Sequence, residues 1–313
     1  MQVLCKVKCY ESKKCFYCQG KVVRKNGRVK GVQLYKCYCC GKQFLGGFRL
    51  DNAVLWEEYT VGKQTYSQLA DKYKCSIKTI QRRLDRYCVP LVPALSRNVI
   101  VLMDTTYWGR GFGVTLFKDA ITTENLLKYY VKHETNALYI QGINELKKRG
   151  FTVLAIVCDG RKGLVKAFED IPVQLCQFHQ SANIRRYLTK KPKLQAGKEL
   201  LEVVDLLSKT DKESFVGALG LWFEKWEKFL NERSVNPQTN KSFYTHKKLR
   251  SAYRSLENNL PWLFTWYDYF ELNIPNTTNA IDGHFADLKN KLRNHNGLSK
   301  QRKMKFIDGF LKA

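Results

Sequence analysis

Residues Asn98–Asp104 read NVIVLMD, and residues Phe151–Gly160 read FTVLAIVCDG. Each is a run of apolar β-formers that meets an aspartate, and such uniformly apolar strands belong to a sheet buried on both faces. The first run is followed by the turn-rich TTYWGRGFG and then by strand-like Val114–Phe117, so it opens a hairpin. A helical stretch from about Thr135 to Arg149 precedes the second run. Strand, crossover helix and strand make a parallel pair whose C-terminal ends or neighbouring edges can bring Asp104 and Asp159 together. Two carboxylates fixed close together repel, and Mg²⁺ or Mn²⁺ relieves that repulsion. A strand-terminal aspartate taken alone is more often a turn residue or a helix cap, so the pairing carries the reading.

Upstream, Pro90 and Pro93 in VPLVPALSRN break helical periodicity and mark a linker. Before it, Thr65 and Gln68 form a capping box opening one helix with Leu69, Ala70 and Tyr73 as its apolar stripe. Ser76 caps a second, which turns Ile77, Ile80, Leu84 and Tyr87 inward and leaves Lys78, Thr79, Gln81, Arg82 and Arg83 outward. Two short helices with a basic outer face on the second suit a helix-turn-helix whose recognition helix enters the major groove. An ordinary helical hairpin with a solvated basic face has the same pattern.

At the N-terminus, Cys15-Phe-Tyr-Cys18 is followed after eighteen residues by Cys37-Tyr-Cys39-Cys40. Paired C-x2-C knuckles at this separation can set four thiolates around structural Zn²⁺. Cys15, Cys18, Cys37 and Cys40 are the expected ligands, because Cys37 and Cys40 repeat the first knuckle's spacing. Cys39 competes for a place, and Cys5 and Cys9 lack enough neighbours for a second site. Between the knuckles, apolar and basic residues alternate around Asn26-Gly27, which predicts a hairpin turning there. Residues 1–50 carry twelve Lys or Arg against the single acid Glu11, so this small ribbon would contact phosphates.

The whole chain of 313 residues has 54 Lys and Arg against 28 Asp and Glu, a formal charge of +26. Such an excess, interleaved with aromatics, implies a nucleic-acid partner. No run has signal-peptide character or approaches the ~20 apolar residues that span a bilayer, so the expectation is a cytosolic, nucleoid-associated protein without membrane contact. Eleven cysteines in a reducing compartment are read as metal ligands where clustered and as buried thiols elsewhere.

Taken in order, VLMDTTYWG, VCDGRKGL, Cys176-Gln-Phe-His179 and NTTNAIDGHFADLKNKLRNHNGLSKQRK resemble the Mutator-like insertion-sequence transposases, in particular the bacterial branch with an N-terminal zinc-binding region. The resemblance spans nearly the whole chain. It implies an α/β ribonuclease H-like catalytic domain interrupted by an all-helical insertion, behind a zinc ribbon and a helix-turn-helix. The expected boundaries are 1–50, 51–90, 97–190, 191–270 for the insertion and 271–313 for the returning core. It also implies a DDE/D transposase that cleaves and transfers DNA strands with two Mg²⁺ or Mn²⁺ ions.

By that resemblance Asp104 and Asp159 are the first two catalytic, metal-binding acids. The third falls on Asp282, where the family pattern has glutamate, with Glu271 and Asp287 as rivals. Thr277, Thr278 and Asn279 would cap its helix. Cys176 and His179 would stand beside the active site, positioning DNA or the catalytic helix, or be a buried thiol and a bonded imidazole. The partners implied are double-stranded DNA, as terminal inverted repeats and as target, and a second copy of the chain in a dimer or larger complex. A regulator that binds without cutting and a nuclease that cuts without joining are the alternatives.

The 122 residues between Asp159 and Asp282 read mainly as amphipathic helices from about Leu194 to Phe270. Trp222 with Trp226, and Trp262 with Trp266, sit at helical spacing that favours core over base stacking. The acid-free basic runs Arg185–Lys198 and Lys241–Arg254 are candidates to line a DNA path, with Arg185 and Arg186 foremost.

Overall fold

The computed structural model describes residues 14–15, 17–46, 50–90 and 93–312, so Cys5 and Cys9 lie outside the described residues. It is a mixed α/β protein of two compact units, Met1–Val89 and Pro90–Ala313.

In the first unit, β1 (Val23–Val29), β2 (Val32–Cys37) and β3 (Gln43–Leu45) form an antiparallel sheet in that order. The hairpin does not turn at Asn26-Gly27 as the sequence suggested. Val29 pairs with Val32, and the turn is Lys30-Gly31, both with positive φ (51° and 78°) as a two-residue primed turn requires. Gly27, at φ 80°, instead lies in a bulge where β1 carries one extra residue between Lys25 and Arg28. Three helices follow: α1 (Asn52–Thr60), α2 (Tyr66–Lys72) and α3 (Ile77–Arg86). The Thr65–Gln68 capping box and the Ser76 cap both form. Ile80 and Leu84 are buried, but Ile77, in the first turn of α3, is exposed rather than inward.

The second unit is built on a five-stranded sheet. Its elements run β4 (Asn98–Tyr107), β5 (Gly113–Asp119), β6 (Asn125–Val131), α4 (Asn136–Lys148), β7 (Thr152–Cys158) and β8 (Val173–Leu175). The strand order is β6-β5-β4-β7-β8, antiparallel up to β4 and parallel from β4 to β8. Thr135 caps α4 through the Leu138 N–H, and Gly150 at φ 86° ends the connection into β7. Gly142 on α4 lies against Phe117, whose ring would be 2.0 Å from an added Cβ. Val99, Val101 and Met103 join that cluster, while Ile100 and Leu102 are equally buried on the opposite face of β4.

After β8 come α5 (Gln177–Leu188), α6 (Gln195–Leu206), α7 (Lys212–Asn231), β9 (Arg233–Val235), β10 (Ser242–Tyr244), α8 (Lys247–Leu263), α9 (Thr265–Asp268), α10 (Asn279–Arg293) and α11 (Lys300–Leu311). The segment expected to be all-helical therefore contains an antiparallel hairpin, β9–β10. Short strands of three residues leave too little periodicity to be read in advance. The excursion is tied back to the sheet at its edge: Gln174 Nε2 donates to the Leu263 carbonyl (2.9 Å), and Thr265 Oγ1 donates to that of Val173 (2.7 Å). Trp222 is buried with its indole N–H on the Ala196 carbonyl, Trp226 donates to Glu199, and Trp262 and Trp266 pack on the same cluster. These four tryptophans are core. Among the described residues no helix is long and apolar enough to cross a membrane.

Candidate active site and metal centre

The four thiols of the N-terminal knuckles converge. Cys15 and Cys37 are fully buried, Cys15 Sγ lies 3.5 Å from Cys40 Sγ, and Cys18 Sγ lies 3.6 Å from Cys37 Sγ. All four sulfurs fall within 4.8 Å of one another, while Cys39 stays exposed outside the set. In the first knuckle the Tyr17 N–H points at Cys15 Sγ (3.3 Å). Burial opposes the Cys37 thiolate, but the N–H groups of Cys40 and Cys39 and the neighbouring thiols outweigh it and lower its pKa to about 6. Cys18 goes the other way: the Gly20 N–H favours its thiolate, yet the Cys40, Cys37 and Cys15 thiols and burial push it up to about 12. Four sulfurs so close cannot all ionise without a cation among them, and the set could hold one metal ion.

The second site lies where β4, β7 and α10 meet. The parallel register pairs Leu102 with Val157, so Asp104 and Asp159 stand two residues further along neighbouring strands. Asp159 directly follows β7, as expected, but Asp104 does not end its strand. β4 continues to Tyr107, paired to β5, and Asp104 sits opposite Leu116. Asp282 occupies the first turn of α10. Burial is the main force on Asp104 and raises its pKa to about 7 against the Thr105 N–H; the charges of Asp282 and Glu134 add to the rise, and His179 opposes it. The rival acids are elsewhere engaged or exposed: Asp287 pairs with Lys291 (2.7 Å), and Glu271 is exposed in a single 3₁₀ turn.

Thr278, fully buried at the N-cap of α10, joins the parts. It makes no capping bond to its own helix. Its N–H and hydroxyl both lie 3.3 Å from Cys176 Sγ, its Oγ1 is 3.4 Å from His179 Nδ1, and the hydroxyl is 3.2 Å from Asp282 Oδ2. Cys176 caps α5, and its N–H donates to the Cys158 carbonyl (2.8 Å). The contact with Cys176 raises the His179 pKa to about 9 against burial, with further help from the charges of Asp159 and Asp104. Its environment thus favours the protonated imidazole beside the acids. No zinc-binding partner set surrounds Cys176 and His179 among the described residues.

The sequence reading missed Glu134 and its supports. Tyr139 Oη donates to Glu134 Oε1 (2.6 Å), and Arg161, from the DGR segment, lies 3.6 Å from Glu134 Oε2 and donates to its carbonyl. An acid-arginine pair 27 residues apart, one just before a helix and one in a loop, has no local spacing signature.

The four thiols are the one set of three or more His, Cys, Asp or Glu side chains that the described residues gather into a metal-sized cluster. The three aspartates share one electrostatic neighbourhood without being drawn that tightly. Of the candidate DNA contacts, Lys78, Arg82 and Arg186 are exposed, while Thr79 and Gln81 are half-buried. Arg83 does not face outward. Its Nη1 donates to the Leu50 carbonyl and to Asn52 Oδ1 (3.2 Å each), tying α3 to the start of α1. Arg185 is ion-paired with Asp205.

None of the curated proteins shows significant sequence similarity to the chain. Among solved structures it is similar to a chain of the "CryoEM structure of simian T-cell lymphotropic virus intasome in complex with PP2A regulatory subunit B56 gamma", at 12% identity over 63% of this chain and 74% of that one, with a TM-score of 0.22. The family model "Transposase, Mutator family" matches residues 58–282, more than half of the sequence, and the chain belongs to that family.

Proposed function

We propose that the protein cleaves and joins DNA strands at the ends of a mobile element, as a DDE/D transposase whose metal-binding acids are Asp104, Asp159 and Asp282. The observation that carries this reading is that residues 178 positions apart share one electrostatic neighbourhood: the charge of Asp282 acts on Asp104, and those of Asp159 and Asp104 act on one imidazole, His179. The strand order, antiparallel then parallel with the acids on the central strand and its neighbour, fits a ribonuclease H-like core with an insertion between β8 and α10.

The donor set suits divalent cations. Three carboxylates with a fourth, Glu134, nearby are hard oxygen ligands, and a half-buried aspartate held up at about 7 is one whose charge is poorly compensated. When bound, two Mg²⁺ ions would activate the attacking water or 3′-hydroxyl and stabilise the leaving oxygen. The chain's own groups then have separate duties. Asp104 and Asp159 are fixed by the sheet, Asp282 is carried by α10, and Thr278 sets that helix against Cys176 and His179. His179, its pKa raised beside Cys176, would balance part of the acids' charge when protonated.

In the N-terminal unit, we read the Cys15, Cys18, Cys37 and Cys40 set as a structural zinc site. The exposed Lys78 and Arg82 of α3 are read as contacts of a helix-turn-helix with the terminal repeats. Asp159→Asn, which keeps size and removes charge, tests the catalytic assignment on a labelled element end. The expected result is lost cleavage with end binding retained, and unchanged cleavage would show that the site is elsewhere. Strand transfer by the unaltered protein separates a transposase from a nuclease that only cuts.

A further inference from the structure

α10 and β4 run side by side in the same direction. At one end the charge of Asp282 acts on Asp104. At the other, Lys289 and Arg293 of α10 line a cavity of about 380 Å³ with Trp108, which follows β4, His295 of the α10–α11 turn, and Lys303 of α11. Trp108 lies four residues beyond Asp104, which at ~3.3 Å each puts the two about 13 Å apart along the chain. None of the residues lining the cavity is acidic. The aromatic wall is reinforced behind: Trp108 packs on Phe112 (5.8 Å), Phe112 stacks on Tyr130 (5.8 Å), and the ammonium groups of Lys300 and Lys303 lie over Phe112 at 5.6 and 6.0 Å. The Trp108 backbone N–H donates to the Phe112 carbonyl (2.9 Å), while the indole N–H of the half-buried ring has no acceptor among the described residues.

We propose that this cavity takes one unpaired nucleotide of the DNA strand, its base against Trp108 and its phosphate held by Lys289, Arg293 and Lys303. The volume sits at the low end of ligand pockets, roughly 300–1,000 Å³, which suits one nucleotide and not a duplex. An aromatic platform beside a cluster of cations is the chemistry that binds single-stranded nucleic acid without reading sequence. At ~3.4 Å of rise per nucleotide, the cavity lies about four nucleotides from the aspartates along a strand. The inference rests on the reading of Asp104 as part of the reaction centre only for its purpose; the site itself stands on the cavity.

The test uses the full chain without added Mg²⁺, and a single-stranded dodecamer carrying one 5-iododeoxyuridine. Ultraviolet cross-linking should attach the base to Trp108 or His295, mapped by mass spectrometry. Trp108→Ala should weaken binding at least about five-fold with an unchanged salt slope, because stacking carries no counterion release. Trp108→Phe should restore most of the affinity, and Lys303→Ala should lower the salt slope by about 0.7. Cross-links found only outside the cavity, or Trp108→Ala binding like the unaltered protein, overturn the proposal. Asp159→Asn should cross-link normally while failing to cut, so loss of cleavage and loss of this site are read separately.

Discussion

The two candidate metal centres reach their geometry by opposite routes. In the N-terminal unit, four sulfurs lie within 4.8 Å of one another, set by two knuckles whose spacing is written locally in the chain. In the larger unit, three aspartates come from a strand interior, a strand end and a helix start, and the His179 imidazole, its pKa raised beside Cys176, stands in their field. A structural ion is part of a fold and its ligands are best preassembled. Ions that must admit a phosphodiester need an open site, so some of the ligation is left to be completed with substrate.

The largest expected effect breaks the first centre. Among the described residues the buried cluster of the ribbon holds only Cys15, Cys37 and Phe44, too little to fold it unaided. Chelation or Cys37→Ser should therefore erase the amide dispersion of β1–β3 by NMR, since structural zinc supplies on the order of 10 kcal/mol of folding free energy. The melting of the second unit should be unmoved. If β1–β3 persist without metal, the four thiols are a hydrogen-bonded core and the contrast fails.

Next in size is the acid centre. Asp104→Asn should reduce cleavage by roughly 10³-fold, the loss of about 4 kcal/mol of transition-state stabilisation, without lowering stability. It should instead alter the pH dependence of the divalent-free protein. The folded Asp104 keeps its proton up to about 7, whereas the unfolded one loses it near 3.8. Its contribution to stability therefore falls as pH rises from about 4 to 7 and is level above that. His179 adds a second decline: its stabilisation is complete below 6.5 and lost by about 9. Calorimetry against pH should show the lower window vanish in Asp104→Asn, and Mg²⁺ should stabilise the unaltered protein more at pH 8 than at pH 5. A flat profile in the unaltered protein would show Asp104 to be solvated and the acids uncoupled.

Thr278→Val keeps shape and removes the hydroxyl that touches Cys176, His179 and Asp282. Groups that orient metal ligands typically cost 10–100-fold when lost, so cleavage should fall by about that factor while the Mg²⁺ concentration for half-maximal rate rises. A drop in stability with normal kinetics would make Thr278 a core hydrogen bond and nothing more.

How far these centres could be read in advance follows the same division. The C-x2-C pairs, the Thr65–Gln68 box and the Asp159 strand end are local patterns, and the structure bears each of them out. Asn26-Gly27 was misread because Lys30-Gly31 offers a second pair of positive-φ residues, and strand pairing rather than the dipeptide decides between them. β6 and β8 went unmarked: Asn125–Val131 mixes apolar with polar residues, and β8 is three residues long. The role of Thr278 was half visible. Its place as a cap could be read from NTTNAID, but the partners it chose, Cys176 and His179, lie about 100 positions away and depend on how α5 and α10 pack.

The smallest effect sharpens what the basic face of α3 is for. Arg82 and Arg83 are adjacent, and by periodicity both point outward, yet only Arg82 is exposed. Arg83 satisfies the Leu50 carbonyl and Asn52 at the entry to α1, so removing it leaves a carbonyl short of a donor. Arg83→Ala should cost the N-terminal unit about 1–2 kcal/mol in a denaturant titration. Arg82→Ala should leave stability within about 0.5 kcal/mol, because an exposed arginine with no partner among the described residues contributes little. On DNA the order reverses. Arg82→Ala should lower the slope of log affinity against log salt by about 0.9, the release of one counterion, while Arg83→Ala leaves that slope alone. Should Arg83→Ala carry the salt effect instead, the guanidinium must leave Leu50 on binding, and α1 would have to move with it.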